Sequence, residues 1–441
     1  ATICKRIHPD VPIVLGGGIA SSMPDFMLTR LPIDIVVQEE GEVSFSEVLH
    51  RLEIGQSLAG VLGVAYREHI RSDEYKVCNN GLRPSLPSRQ MGLDSVPWPL
   101  RTSWSVTDVY RSNPVGHLNW ETKWNDGEAP MDNVYSLSMI ASRGCPYATR
   151  ACDYCYAAYL GSQYRLRGPK DVVDEMVYYY EKYDATEFQF QDLTAIIKKK
   201  WIVKFCQELI SRNLNITWQI PVGTRSEAID QEVADLLIKS GCSYIQYAPE
   251  SGSTRILQVI KKKVNLDYLM ASVDATLGSS MQVCVLLIIG FPDETPEDIA
   301  ATFRFIRKLA LKGVHEIAVS CLVPLPGTAI FNDLKKDGYI VLDDDYCYWM
   351  QGATALTMVK SWNPAISDNR LRFLKLWGLT QFFLLSWILH PGRTLKIVHN
   401  LFSGKQENKV DRVLREFVEK VRISKYLKTK HSDSIVSTVI K

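Results

Sequence analysis

From residue 134 to about residue 328 the chain alternates short apolar segments with longer amphipathic ones at a regular beat. Strands are predicted over 134–141, 187–191, 216–220, 243–247, 282–289 and 316–321, where apolar runs are short and rich in β-formers. Helices are predicted between them over 169–183, 198–212, 230–240, 254–278 and 296–312. A strand, a helix and a second strand in series form a parallel pair with the helix outside, so six such repeats predict a partial (βα)6 barrel, an α/β fold. In parallel barrels the chemistry sits in the loops at the carboxyl ends of the strands.

Upstream, residues 11–52 read as the carboxyl-terminal part of a doubly wound, Rossmann-like unit. A strand over 11–15 leads into Gly16-Gly17-Gly18 and a helix near 24–30. A strand over 34–37 then leads into the acidic turn Glu39-Glu40-Gly41-Glu42 and a helix over 44–52. The chain opens on Ala1, Thr2 to Ile7 read as the end of a helix, and no signal-peptide pattern is present, so the sequence is expected to begin inside a domain. A hairpin (63–67 with 74–78) and a proline-rich stretch (84–99) follow. After residue 330 the pattern is helical and aromatic, ending in a tail bearing Arg412, Arg415, Lys420, Arg422, Lys425, Lys428 and Lys430, read as a solvated helix face. The expected division is 1–60, the doubly wound part; 61–133, a connecting region; 134–330, the barrel; and 331–441, a helical cap and tail. A length of 441 residues and 46% hydrophobic content suit two or three such cores.

A net charge of +2 gives no electrostatic case for a nucleic-acid partner. Seven of the ten cysteines stand singly in apolar or helical patterns and read as buried or inert thiols, which fits a reducing cytoplasm. The longest apolar run, 376–389, falls short of the ~20 residues of a membrane span. It reads as a core helix, with a lid over a lipid-like substrate or peripheral membrane contact as the rival readings.

The other three cysteines lie in the loop after the first barrel strand, Ser142-Arg143-Gly144-Cys145 through Cys152-Asp153-Tyr154-Cys155. Three thiols within eleven residues converge on a metal or a disulfide, and three is odd. Structural zinc is normally closed by four ligands, and no His or fourth Cys lies nearby. Iron–sulfur clusters prefer thiolates, and three ligands leave one iron open for catalysis. A zinc-stabilised interaction protein is the alternative of a different class.

At these residues the chain resembles the radical S-adenosylmethionine (SAM) superfamily. Arg143-Gly144-Cys145-Pro146 and Tyr154 match its motif, although the first arm has six residues between cysteines where the family usually has three; the extra residues lie around Ala148-Thr149-Arg150. The resemblance implies a 4Fe-4S cluster on Cys145, Cys152 and Cys155, whose open iron chelates SAM for reductive cleavage to a 5'-deoxyadenosyl radical. It implies SAM-binding roles for Tyr154, Gln191, Asp192, Glu250, Ser251, Gly290 and Pro292, with Lys262 or Arg225 available to neutralise a carboxylate. For each singly, a surface-charge or helix-cap role is an equal reading. Pro324 to Thr328 reads as a structural turn.

The Gly16-Gly17-Gly18 and Glu40-Gly41-Glu42 turns further resemble the later half of the cobalamin-binding domain of one class within this superfamily. That implies cobalamin contacts from Gly16, Gly17, Gly18, Glu40 and Gly41, with Glu40 to Glu42 capping the next helix. The lower-axial His motif of some members is absent. The implied activity is cobalamin-dependent methylation of an unactivated carbon in a small-molecule, lipid-like or peptide substrate, with an electron donor such as flavodoxin or ferredoxin. Radical cyclisation, rearrangement or oxidation is the alternative. A methylthiotransferase is disfavoured because no second cysteine cluster precedes the barrel.

Overall fold

The computed structural model describes residues 1–71, 74–85, 93–101, 136–147, 152–155, 164–194, 196, 198–350, 358–395 and 399. Ala148-Thr149-Arg150, most of the connecting region and the basic tail lie outside the described residues.

The amino-terminal unit contains α1 (Thr2–Ile7), β1 (Val14–Leu15), α2 (Gly18–Ser22), α3 (Pro24–Arg30), β2 (Ile35–Val37), α4 (Gly41–Glu53), β3 (Val64–Arg71) and β4 (Glu74–Asn79). Strands β1 and β2 are parallel, whereas β3 and β4 add on antiparallel, giving the order β1-β2-β3-β4. The hairpin assigned by sequence to the connecting region therefore completes this sheet. All three residues of β2 are buried because both faces are covered: Ile35 and Val37 pack with Val48, Val61 and Val64, and Val36 packs with Leu28 and Ile33.

The second unit begins with β5 (Ser136–Met139), followed by a two-residue ribbon, β6 (Ser142–Arg143) with β7 (Arg165–Leu166), that brackets the cysteine loop. Then come α5 (Pro169–Tyr183), β8 (Glu187–Phe190), α6 (Lys199–Ser211), β9 (Thr217–Thr224), α7 (Gln231–Lys239) and β10 (Cys242–Glu250). After α8 (Thr254–Val259) and α9 (Leu266–Gly278) follow β11 (Gln282–Ile289), α10 (Pro296–Lys312) and β12 (Glu316–Cys321). The order β5-β8-β9-β10-β11-β12 is parallel throughout, the predicted partial barrel. Helices α11 (Ala329–Lys336), α12 (Asp344–Met350) and α13 (Asp368–Leu389) complete the described chain.

Strand periodicity separates the two faces of the sheet. Phe188, Phe190, Trp218, Ile220, Ile245 and Tyr247 join the helices in the main core. The alternate positions form a buried polar layer: Gln189 donates to Ser136 (2.9 Å), Gln219 to Glu187, and Gln246 to the Tyr244 hydroxyl (2.8 Å). Where local capping is strong the boundaries follow the sequence; α10 starts at a capping box (Thr295 with Asp298) with Pro296 at its first turn and ends at Gly313 in the left-handed region.

Two expectations are corrected here. The helix predicted over 254–278 is two helices, because Lys261 adopts a left-handed φ of 55° and Asn265 caps α9 by accepting from the Asp267 and Tyr268 amides. Glu40 stands at the N-cap of α4, but its side chain makes no capping hydrogen bond; it is drawn instead to Arg165.

Candidate active site

The cysteine loop is held at both ends by atoms distant in sequence. At its start, buried Asp192 accepts the Ala141 amide through both oxygens (3.1 Å each) and the Ser142 hydroxyl. This contact ends the β5 ladder at Met139, two residues short of the predicted strand. At its finish, the Cys152 and Asp153 amides donate to the Lys261 and Ile260 carbonyls (3.3 and 3.2 Å). Lys261 also pairs with the Asp153 carboxylate at 2.9 Å, and the Ile330 amide donates to the Asp153 carbonyl at 3.1 Å. The break between α8 and α9 is thus the dock for the cluster loop, since only a non-helical turn leaves those carbonyls open.

Cys145, Cys152 and Cys155 are all partly buried thiols outside any disulfide. The Cys155 amide bonds the Cys152 carbonyl at 2.9 Å, and Cys152 takes a left-handed φ of 64°, so these two residues turn tightly on each other. Thr194 places its hydroxyl 3.8 Å from the Cys145 sulfur. Burial pushes the Cys152 thiol up to about 11; Lys262 opposes this, and Cys155, Cys145 and Glu250 add to it, so the three sulfurs lie within electrostatic reach of one another. Among the described residues no three His, Cys, Asp or Glu side chains converge on a single metal ion. An all-sulfur donor set on one loop suits an iron–sulfur cube, which spreads its ligands more widely than one ion does.

Glu250 ends β10 with a left-handed φ of 73°, a conformation that costs about 1–3 kcal/mol and is held by its surroundings. Lys262 pairs with it at 2.8 Å and donates to the Tyr154 hydroxyl at 3.3 Å. Burial lowers the Lys262 ammonium, but Glu250 and Cys152 outweigh it and leave it above the ordinary lysine range. Tyr154 meets Phe291 edge-on with ring centroids 5.7 Å apart, which ties the Gly290-Phe291-Pro292 turn to the cysteine loop. Arg225 lies over the Tyr147 ring (4.5 Å) and pairs with Glu227 at 2.6 Å, so it braces the loop from the β9 side.

Three residues expected at the SAM site are also engaged in packing within the barrel. Asp192 is the buried brace already described, its carboxyl pushed up to about 6 by burial against the hydrogen bonds it accepts. Ser251 is fully buried, with its hydroxyl 3.1 Å from that of Thr302 on α10. Gly290, at a φ of 86°, faces α13, where an added Cβ would stand 2.8 Å from Leu371. Its amide bonds buried Glu294, whose carboxyl burial pushes up to about 7. Pro292 and Gln191 remain partly exposed beside the site.

A cleft of about 310 Å³ separates the two units, lined by Gly17, Gly18, Glu39 to Glu42, Ser142 to Gly144, Gln191 and neighbours. Gly17 has a φ of 95° and nothing within 4 Å of where a Cβ would sit, so backbone there is open to a ligand. Gly16 and Gly41 instead sit against Val37. Across the cleft Arg165 grips Glu40, and Arg143 grips Glu42 with Glu40 at 3.9 Å. Both arginines lie on the ribbon that brackets the cysteine loop, so four charges clamp the glycine turn's unit to the cluster loop. A second cleft of about 630 Å³ shares Glu42, Ile140, Arg143 and Gln191 with the first and is walled by Val96, Trp98, Pro99 and Arg101.

Sequence reasoning missed Thr194, Tyr147 and Arg165. Arg143 stood in the quoted motif, but no local signal names its carboxylate partner.

Residues 139–306 match the family model of the radical SAM superfamily. An uncharacterized methyltransferase of Pyrococcus horikoshii is 28% identical over 333 residues, covering 75% of this chain and 64% of that protein. An anaerobic magnesium-protoporphyrin IX monomethyl ester cyclase of Rubrivivax gelatinosus is 25% identical over 307 residues, covering 69% and 50%. A cytidylyl-2-hydroxyethylphosphonate methyltransferase of Streptomyces wedmorensis is 25% identical over 365 residues, covering 77% and 64%. The chain therefore spans between half and just under two thirds of these relatives. The fold is shared with the radical SAM methyltransferase TsrM of Kitasatospora setae, bound to tryptophan and a SAM analogue (TM-score 0.57, 18% identity, 76% of this chain and 60% of that one). It is shared also with the cobalamin-dependent SAM radical enzyme OxsB bound to aqua-cobalamin (TM-score 0.53, 14% identity, 83% and 48%).

Proposed function

We propose, from the match of residues 139–306 to the radical SAM family model, that the chain is a radical SAM enzyme that cleaves SAM reductively and methylates an unactivated carbon with the help of cobalamin. Cys145, Cys152 and Cys155 are the residues to hold a 4Fe-4S cluster. Bound there, the cluster supplies the electron that breaks a carbon–sulfur bond of SAM, and cobalamin supplies the methyl group.

The protein's own residues perform the positioning. The Glu250–Lys262 pair and Tyr154 present an anionic, a cationic and an aromatic group on one wall beside the thiols, suited to the ammonium, carboxylate and adenine of SAM. Gly17 and the Glu39 to Glu42 turn offer backbone to cobalamin across a cleft whose opposite wall is the start of the cluster loop. The larger cleft beside it, with Trp98, Pro99 and Met139 on its walls and Arg101, Arg167 and Glu175 among its charged lining, gives a substrate body a seat of mixed apolar and charged character. Electrons would come from a low-potential donor such as flavodoxin or ferredoxin.

The observation that carries this reading is the shared wall: Ser142, Arg143 and Gly144 belong both to the cleft and to the first turn of the cysteine loop. Of the three relatives named above, two carry methyltransferase names, one of them uncharacterized, and one is a cyclase, which keeps radical ring closure as the second reading. The test is anaerobic reconstitution with iron and sulfide, reduction with SAM present, and assay of 5'-deoxyadenosine against a variant with Ala at Cys145, Cys152 and Cys155. The nucleoside is expected only from the intact chain, and its absence from a brown, cluster-loaded protein would sink the proposal. Product mass separates methylation from cyclisation, because only methylation adds a carbon.

A further inference from the structure

Helix α13 runs the height of the barrel on its outside, roughly 33 Å for 22 residues. Leu371 near its start packs over Gly290, and His390 at its far end lies over Gly313. Leu371, Leu374, Lys375, Gly378, Phe382 and Ser386 form the face buried against the barrel. The opposite stripe, Phe373, Trp377, Leu384 and Ile388, faces outward at helical spacing; Trp377 is 46% exposed and Ile388 74%. The Phe373 and Trp377 rings stack nearly parallel with centroids 6.5 Å apart, and Leu395, beyond the end of the helix, is also exposed.

Charge on this face is mainly positive. No Asp or Glu occurs from Asn369 to Leu395, whereas Arg370 and Arg372 stand exposed at the start of the stripe, with Arg304 and Lys308 exposed on neighbouring α10 beside one exposed carboxylate, Glu297. Asp368, at the head of the helix, pairs with Lys360 at 3.6 Å. The Arg370 guanidinium lies over the Phe373 ring at 5.7 Å, which puts cation and aromatic ring together. A two-fold contact between two copies would bring this mainly basic face against itself. An anionic surface meets the same face with opposite charge, and aromatic and aliphatic side chains beside cations are the make-up of helices that lie in a bilayer interface. Spanning is not at issue, since among the described residues no helix is long and apolar enough to cross a membrane.

We propose that the outer face of α13 docks the protein on an anionic phospholipid bilayer, with the barrel lying on its side and Phe373, Trp377, Leu384 and Ile388 entering the headgroup boundary. This inference stands apart from the proposed reaction. The full, cluster-reconstituted chain is sedimented with vesicles of phosphatidylglycerol and phosphatidylcholine in equal parts, and with phosphatidylcholine alone. The wild type is expected to pellet with the anionic vesicles. A Trp377→Glu/Ile388→Glu variant is expected to lose about tenfold or more in bound fraction while keeping its cluster absorbance and unfolding transition. An Arg370→Gln/Arg372→Gln variant is expected to lose the preference for phosphatidylglycerol. No pelleting, equal pelleting with both vesicle types, or unchanged binding by the Trp377/Ile388 variant would each overturn the proposal. So would a wild-type dimer in analytical ultracentrifugation that this variant turns into monomers, which would assign the face to a second copy.

Discussion

Replacing Lys262 by Met tests the wall beside the cysteines most directly. Its ammonium lies 2.8 Å from the Glu250 carboxylate, and the two side chains are only 16% and 10% exposed. At that distance, with an effective dielectric of about 20, the attraction is about 6 kcal/mol before desolvation offsets part of it. Removing one partner strands the other charge in a nearly dry site, for which a loss of about 3–5 kcal/mol is expected. Replacing both, as in Glu250→Gln/Lys262→Met, leaves no stranded charge, so the double variant is expected to lose less than the sum of the singles by about 2–3 kcal/mol. Hydrogen exchange at the β10 amides around Gln246 and Tyr247 reads these differences inside the barrel, without assuming that the whole chain unfolds as one unit. Additivity within about 0.5 kcal/mol would refute the reasoning, because it would mean that the two charges are screened from each other by water.

The Asp192 carboxyl, pushed up to about 6 by burial, binds its proton more tightly folded than unfolded. Its ionisation therefore lowers stability as pH rises from about 4 through 6, by about 1.3 kcal/mol between pH 5 and 7. Thermal melts of Asp192→Asn should lack that slope, and parallel curves for both proteins would contradict the assignment. Gly290→Ala is expected to destabilise the barrel by about 2 kcal/mol or more, from the φ of 86° and the 2.8 Å approach to Leu371, and Leu371→Ala should recover part of that loss in melts of the double variant. Glu40→Gln removes the carboxylate that pairs with Arg165, whose side chain is only 4% exposed. It should loosen the clamp enough to raise hydrogen exchange in Ser142–Arg143 and weaken hydroxocobalamin binding in an absorbance titration; unchanged exchange would show that the clamp is not what holds the ribbon.

The barrel was legible because its signals are local. Period-two strands, amphipathic helices and a capping box such as Thr295 with Asp298 depend on residues a few positions apart, and six parallel strands follow from their alternation. The three cysteines were legible for the same reason, lying within an eleven-residue segment and being chemically alike. What the sequence could not decide were the partners of single charges and the facing of single residues. Glu40 reads locally as a helix cap, but a buried arginine 125 residues away outcompetes the cap. Asp192 and Ser251 occupy the expected loops yet turn inward, because the backbone amide of Ala141 and a hydroxyl on α10 claim them. The pattern over 254–278 is helical throughout, and only the docking of Cys152 and Asp153 on the Ile260 and Lys261 carbonyls makes use of its interruption. Local periodicity determined which segments form and where the thiols cluster; tertiary structure decided which atoms satisfy each buried polar group, since that choice depends on contacts no short window contains.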